Sequence, residues 1–191
     1  MYIKKITAQN KKHALIDVSH NGENGEVVKY TLRTPGIRLI VPTAHNTFLM
    51  NYEYRAGLQK WDYRLPGGKV YETLDEFTYV KEKIEYNALD LLPDAQKAAV
   101  LEAKQEIGIT THVDDLELLE ITEVGGSTKH DIYYFLVKKY ELGEQELEPD
   151  EQIERVELTS EEIMEKIYQK EFSEDRSIGP FLRFIKKHSI S

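Results

Sequence analysis

Glu102, Gln105 and Glu106 fall at i, i+3 and i+4 in the segment AVLEAKQEIGI, residues 99–109. On a helix that spacing projects all three side chains from one face. Grouped carboxylate and amide oxygens suit hard divalent cations such as Mg²⁺ or Mn²⁺. A solvated helix face carries the same pattern, and the glutamine lowers the charge on offer. Upstream, RLPGGKV (residues 64–70) supplies a second component. Its paired glycines free the backbone to turn carbonyls toward a cation, and Lys69 is left for a phosphate. Cations held this way bridge to a diphosphate and lower the pKa of an attacking water. Arg55, Arg64 and Lys69 are candidate phosphate contacts, each equally able to form a surface ion pair. Trp61 and Tyr63 offer flat rings either for stacking on a base or for strand packing.

The surrounding elements follow from periodicity. Residues 1–35 alternate polar and apolar side chains around NGENGE (residues 21–26), which predicts two or three antiparallel strands with a tight Asn-Gly turn. GIRLIVPTA and TFLMNYEY read as more buried strands. Thr73 and Glu76 form a capping box that opens an amphipathic helix over Leu74–Leu91. Pro93-Asp94 interrupts it, with Asp94 as N-cap of a second helix that runs to Ile107 and stops at Gly108. Ala99, Val100, Ala103 and Ile107 give that second helix a small apolar face for close packing on a sheet. LELLEITEV, DIYYFLVKK and ERVELT return to strand patterns. Thr159 and Glu162 open a third helix, and FLRFIKKH predicts a last short one. Strands mixed with helices indicate an α+β fold with a mixed sheet between helices.

Composition narrows the functions. The chain has 191 residues, 40% apolar and 31% charged, which is enough for one substantial globular domain. A formal charge of −9 argues against a nucleic-acid partner, because phosphate neutralisation needs a basic field. A small anionic ligand must then find its cations locally. The absence of cysteine excludes thiolate metal sites and cysteine nucleophiles, and suits a cytoplasmic location. The N-terminal segment lacks an apolar signal-peptide core, and no run is long enough to span a bilayer, so no membrane partner is expected.

With LPGGKV at residues 65–70 and LEAKQEIGI at 101–109, the chain resembles the Nudix hydrolase family. The glutamate, small apolar residue, final glutamate, glycine and last aliphatic residue match that family's box in register. NYEYR resembles the corresponding segment of the ADP-ribose pyrophosphatase branch, as does PDEQIERVELTSEEIMEKI. The resemblance implies an α/β/α sandwich over residues 36–191 and a cytoplasmic homodimer assisted by an N-terminal strand region, residues 1–35. It implies Glu102, Gln105, Glu106 and the Gly67 carbonyl as metal ligands, with Glu102 and Glu106 catalytic. A further acid or base is expected from the loop GGSTKHD, where His130 and Asp131 stand nearest. Glu151 and Glu154 are weaker substitutes.

Three departures accompany the match. Gly68 and Glu102 stand about 19 residues further apart than in the family pattern, which predicts an inserted helix at about 73–92. Leu74 occupies the position of an expected acid, leaving Glu72 and Glu76 nearby. Leu101 replaces a bracing arginine, and Gln105 replaces a metal-binding glutamate. Metal-dependent hydrolysis of an ADP-ribose-like or nucleotide-sugar compound is therefore expected. The alternative is a catalytically weakened nucleotide-binding or regulatory module.

Overall fold

The computed structural model describes residues 2–20, 27–83, 87–123 and 126–188. An N-terminal sheet opens the chain, with β1 (Tyr2–Gln9), β2 (His13–His20) and β3 (Val27–Arg33) antiparallel in sequence order. The Asn-Gly turn expected at residues 21–26 lies outside the described residues. Two buried strands follow, β4 (Gly36–Ile40) and β5 (Thr47–Arg55), then β6 (Lys60–Arg64). The helices α1 (Leu74–Lys83) and α2 (Leu92–Ile107) come next, joined in part by a 3₁₀ turn over Ala88–Leu91. After them run β7 (Ile109–Thr110), β8 (Leu116–Glu123), β9 (Thr128–Lys129), β10 (Asp131–Val137), β11 (Glu141–Leu142) and β12 (Ile153–Thr159). Two helices, α3 (Ser160–Tyr168) and α4 (Asp175–His188), close the chain.

The architecture is α+β. The parallel pair β4–β10 is flanked by antiparallel β8, and β5 lies between β12 and β6. Alternation along these strands divides the core in two. Ile37, Leu39, Tyr133 and Phe135 face α2, where Ala95, Ala99, Ala103 and Ile107 present short side chains. Ile40, Met50, Ile132 and Tyr134 point the other way, toward Ile163 of α3 and Phe181 and Phe184 of α4. Helices therefore cover both faces of the mixed sheet. Ala14 and Ile16 of β2 join the α2 side, as do Leu74 and Phe77 of α1.

Several local expectations change. The helix predicted over Leu74–Leu91 does not run unbroken: α1 is described over Leu74–Lys83, residues 84–86 lie outside the described residues, and a 3₁₀ turn starts afresh from the extended Asn87. The Asn87 side chain accepts from Leu89 N–H while Asp90 accepts from Asn87 N–H, a reciprocal cap that defines a new start. Asp94 is not the N-cap of α2. Leu91 holds that position, Pro93 occupies the first turn, and Asp94 instead accepts a 2.7 Å hydrogen bond from the Tyr71 hydroxyl. The last helix is longer than expected, because it begins at Asp175 and carries Pro180 within it. The Thr73–Glu76 and Thr159–Glu162 boxes form as the sequence predicts. So does the left-handed stop at Gly108, φ 62°.

Candidate active site

A cavity of about 570 Å³ opens where the glycine turn, α2, the start of β4 and the acidic loop before β12 converge. The turn is pinned along β4 by three backbone bonds: Ile37 N–H to Gly68 O (3.0 Å), Leu39 N–H to Pro66 O (2.9 Å) and Val70 N–H to Pro35 O (2.9 Å). Gly67 adopts φ +141°, and a Cβ there would lie 2.3 Å from the Ile37 carbonyl oxygen. At Gly68 a Cβ would fall 1.8 Å from Glu102 Oε1, so the second glycine is the space into which that carboxylate fits.

Helix α2 supplies the acids. Its alanine face lets it lie close on the sheet, which carries Glu106 inward until the residue is 6% exposed. Glu106 accepts from Asn51 Nδ2 at 2.8 Å and from Gly67 N–H at 2.5 Å. Burial pushes its pKa up, and the nearby Glu102 pushes it further. Burial also raises Glu102, followed by the charge of Glu151, while the Lys69 N–H and Arg38 act in the opposite direction. Asn51 Oδ1 is buried without a hydrogen-bond partner. A buried carboxylate beside an unpaired amide oxygen suits a hard cation. Glu106, Glu102 and Asn51 thus fit a divalent ion, although no three acidic or imidazole side chains already form a cage among the described residues.

Another part of the lining is cationic. Arg38 donates to the Gly67 carbonyl at 3.0 Å and to Ile37 O at 2.9 Å, and its remaining donors meet Glu174 at 3.0 and 3.3 Å. Glu174 also accepts from Arg64 and Arg176, both at 2.9 Å, and from Ser177 at 2.6 Å. Burial alone would raise the Glu174 pKa, but Arg38, Arg64 and Ser177 hold it well below the usual carboxylate range. Arg33 and Arg176 line the same wall with His130. Burial pushes His130 down to about 3, helped by Arg33, Arg176 and Arg38, so its ring is neutral at physiological pH.

The cavity gathers most of the residues expected from the sequence. Glu102, Glu106, Gly67, Arg55, Arg64, Lys69 and His130 all line it. Arg55 is paired with Glu53, Lys69 with Glu72 at 2.6 Å, and Arg64 with Asp62 at 3.1 Å. Gln105, Asp131 and Trp61 stand outside the lining. Trp61 stacks on Tyr52 with ring centroids 4.9 Å apart, and Tyr54 is the aromatic residue at the cavity. Among the acids after β11, Glu148, Asp150 and Glu151 line the cavity, whereas Glu154 does not. This loop is anchored to the end of α2 by Gly143 N–H to Gly108 O (2.7 Å) and Glu146 N–H to Gln105 O (3.0 Å). Arg33, Arg38, Asn51, Glu174 and Arg176 carry no local motif, so the sequence reading passed them over.

No family model matches the chain, and no curated protein does. Over 99% of its length the chain is similar in structure to a protein described as an ADP compounds hydrolase, of which it covers 95%. The TM-score is 0.68 and the sequence identity 15%. That likeness shows that the two chains share one α+β fold.

Proposed function

We propose that this cavity hydrolyses a nucleoside diphosphate linked to a second moiety, an ADP-ribose-like compound, with Mg²⁺ or Mn²⁺ as cofactor. The observation that carries the reading is a carboxylate pair, buried Glu106 and half-buried Glu102, sharing one cavity with a cluster of guanidinium groups. A metal–diphosphate ligand presents both kinds of charge at once, cation toward the acids and oxyanion toward the arginines. The ADP moiety is supported by the function ascribed to the structural neighbour.

Glu102, Glu106 and the Asn51 amide oxygen would hold the metal, with the Gly67 carbonyl beside them. When bound, the ion polarises the phosphoryl oxygens and lowers the pKa of water. Glu151, close enough to Glu102 to raise its pKa, accepts a proton from the attacking water. The water oxygen bonds to one phosphorus, the P–O–P bridge opens, and two phosphate monoesters leave. Lys69 and Arg55 exchange their surface carboxylates for phosphate oxygens. Arg38 fixes the glycine turn and brings positive charge near both acids, a bracing role that Leu101, 56% exposed, does not fill. Tyr54 offers a ring to the base.

A weakened binding module was the competing expectation, resting on Leu101 and Gln105. Both side chains stand outside the cavity lining, so neither removes charge from within it. The test is a panel of ADP-ribose, sugar nucleotides, dinucleoside polyphosphates and nucleoside triphosphates with purified protein and Mg²⁺. Metal-dependent release of a nucleoside monophosphate from ADP-linked compounds is expected. Nucleotide binding without turnover on any of them would favour the module.

A further inference from the structure

The cationic wall holds more positive charge than its own carboxylates absorb. Four guanidinium groups, from Arg33, Arg38, Arg64 and Arg176, stand against three carboxylates: Glu174, Asp62 and, 3.7 Å from Arg64, Glu53. Glu174 is already shared among three of the arginines and Ser177. The Arg33 side chain makes no hydrogen bond or ion pair among the described residues, yet the residue is half-buried against the cavity. Arg176 commits one nitrogen to Glu174.

The fold sets a third polar group beside them. Strands β3 and β9 run parallel with Leu32 opposite Lys129, so Arg33 and His130 follow at the ends of neighbouring strands. His130 is 7% exposed, and its Nδ1 is buried without a partner. As the Nδ1–H tautomer, the neutral ring can donate a hydrogen bond without adding to the local charge. Thr34 and Lys12 line the same end. An uncompensated guanidinium in a partly desolvated wall is unfavourable, and a dianionic oxyanion relieves it through charge-assisted N–H···O bonds.

We propose that Arg33, Arg176 and His130 form a subsite for a phosphate monoester that is not part of the scissile diphosphate. The inference rests on the hydrolase reading and narrows its substrate to ADP-linked compounds that bear a further phosphate. The diphosphate itself is assigned to the metal at Glu102 and Glu106 with Lys69 and Arg55.

Inorganic phosphate is the probe. Calorimetric titration of the metal-free full chain should show one phosphate bound, with affinity falling at least tenfold in Arg33→Gln and in His130→Leu. Phosphate should remain bound after the protein is saturated with Mg²⁺ and the non-hydrolysable α,β-methylene analogue of ADP-ribose. Displacement by the analogue would assign these arginines to the diphosphate and overturn the proposal, as would phosphate affinity unchanged in Arg33→Gln. In turnover, the 2′- or 3′-phosphate of ADP-ribose should exceed ADP-ribose at least tenfold in kcat/KM, with the ratio collapsing in Arg33→Gln; equal values for all three would contradict it. Absence of turnover on every compound would instead overturn the hydrolase reading, while the phosphate titration still decides the subsite.

Discussion

Glu106 joins three elements through its one carboxylate, touching Asn51 of β5 and Gly67 of the glycine turn from its place on α2. Glu106→Gln keeps the shape but removes the charge, so turnover of an ADP-linked substrate should fall by roughly 10²-fold or more, in line with loss of a central electrostatic group. Asn51→Leu leaves the acid in place but removes the unpaired amide oxygen and the Nδ2 donor. It should raise the Mg²⁺ concentration for half-maximal rate by about 10–100-fold, the usual cost of disturbing a ligand's support. Both acids were legible in the sequence, because helical periodicity fixes which residues share a face. The arginine cluster was not: Arg33 and Arg38 lie far along the chain from Glu174 and Arg176. Tertiary structure brings the ends of β3 and β4 to the segment that opens α4, and no local spacing records that.

At the scale of elements, the glycine turn separates stability from function. A methyl at Gly67 meets the backbone oxygen of Ile37 in a positive-φ conformation, so Gly67→Ala should cost about 2 kcal/mol or more by denaturant unfolding. At Gly68 the three atoms nearest to an added methyl all belong to the movable carboxylate of Glu102. Gly68→Ala should therefore unfold close to wild type yet lose most of its Mg²⁺-dependent rate. Comparable stability losses in both variants would contradict this division. Glu174→Gln tests the anchor from α4: with three guanidinium groups left around a neutral amide, unfolding free energy should drop by about 3–5 kcal/mol. The helices α2 and α3 were readable from their stops and caps. The fresh start at Asn87 was not, since the apolar repeat of the sequence runs on through Leu91 while Asn87 is extended and caps a new turn.

For the whole molecule, the raised pKa values of Glu102 and Glu106 link folding, pH and metal. Carboxyls whose folded pKa exceeds the unfolded value stabilise the protein fully below about 4.3, the unfolded value, and lose that contribution as pH rises through the folded values. Metal binding requires the deprotonated forms, so it gains as the apo protein weakens. Thermal melts from about pH 6 to about pH 8.5 should show a Tm increment from Mg²⁺ that grows with pH; a constant increment would argue that the ion binds elsewhere. The N-terminal sheet leaves Ile6 54% and Val28 58% exposed. The central claim remains that Glu102 and Glu106 of α2 hold a metal for diphosphate hydrolysis. Its most direct test is the initial rate of AMP release from ADP-ribose as Mg²⁺ is titrated, for wild type and Glu106→Gln. A saturable Mg²⁺ dependence in wild type that is lost in the variant is predicted. Turnover that is indifferent to Mg²⁺, or equal in the two proteins, would contradict the account.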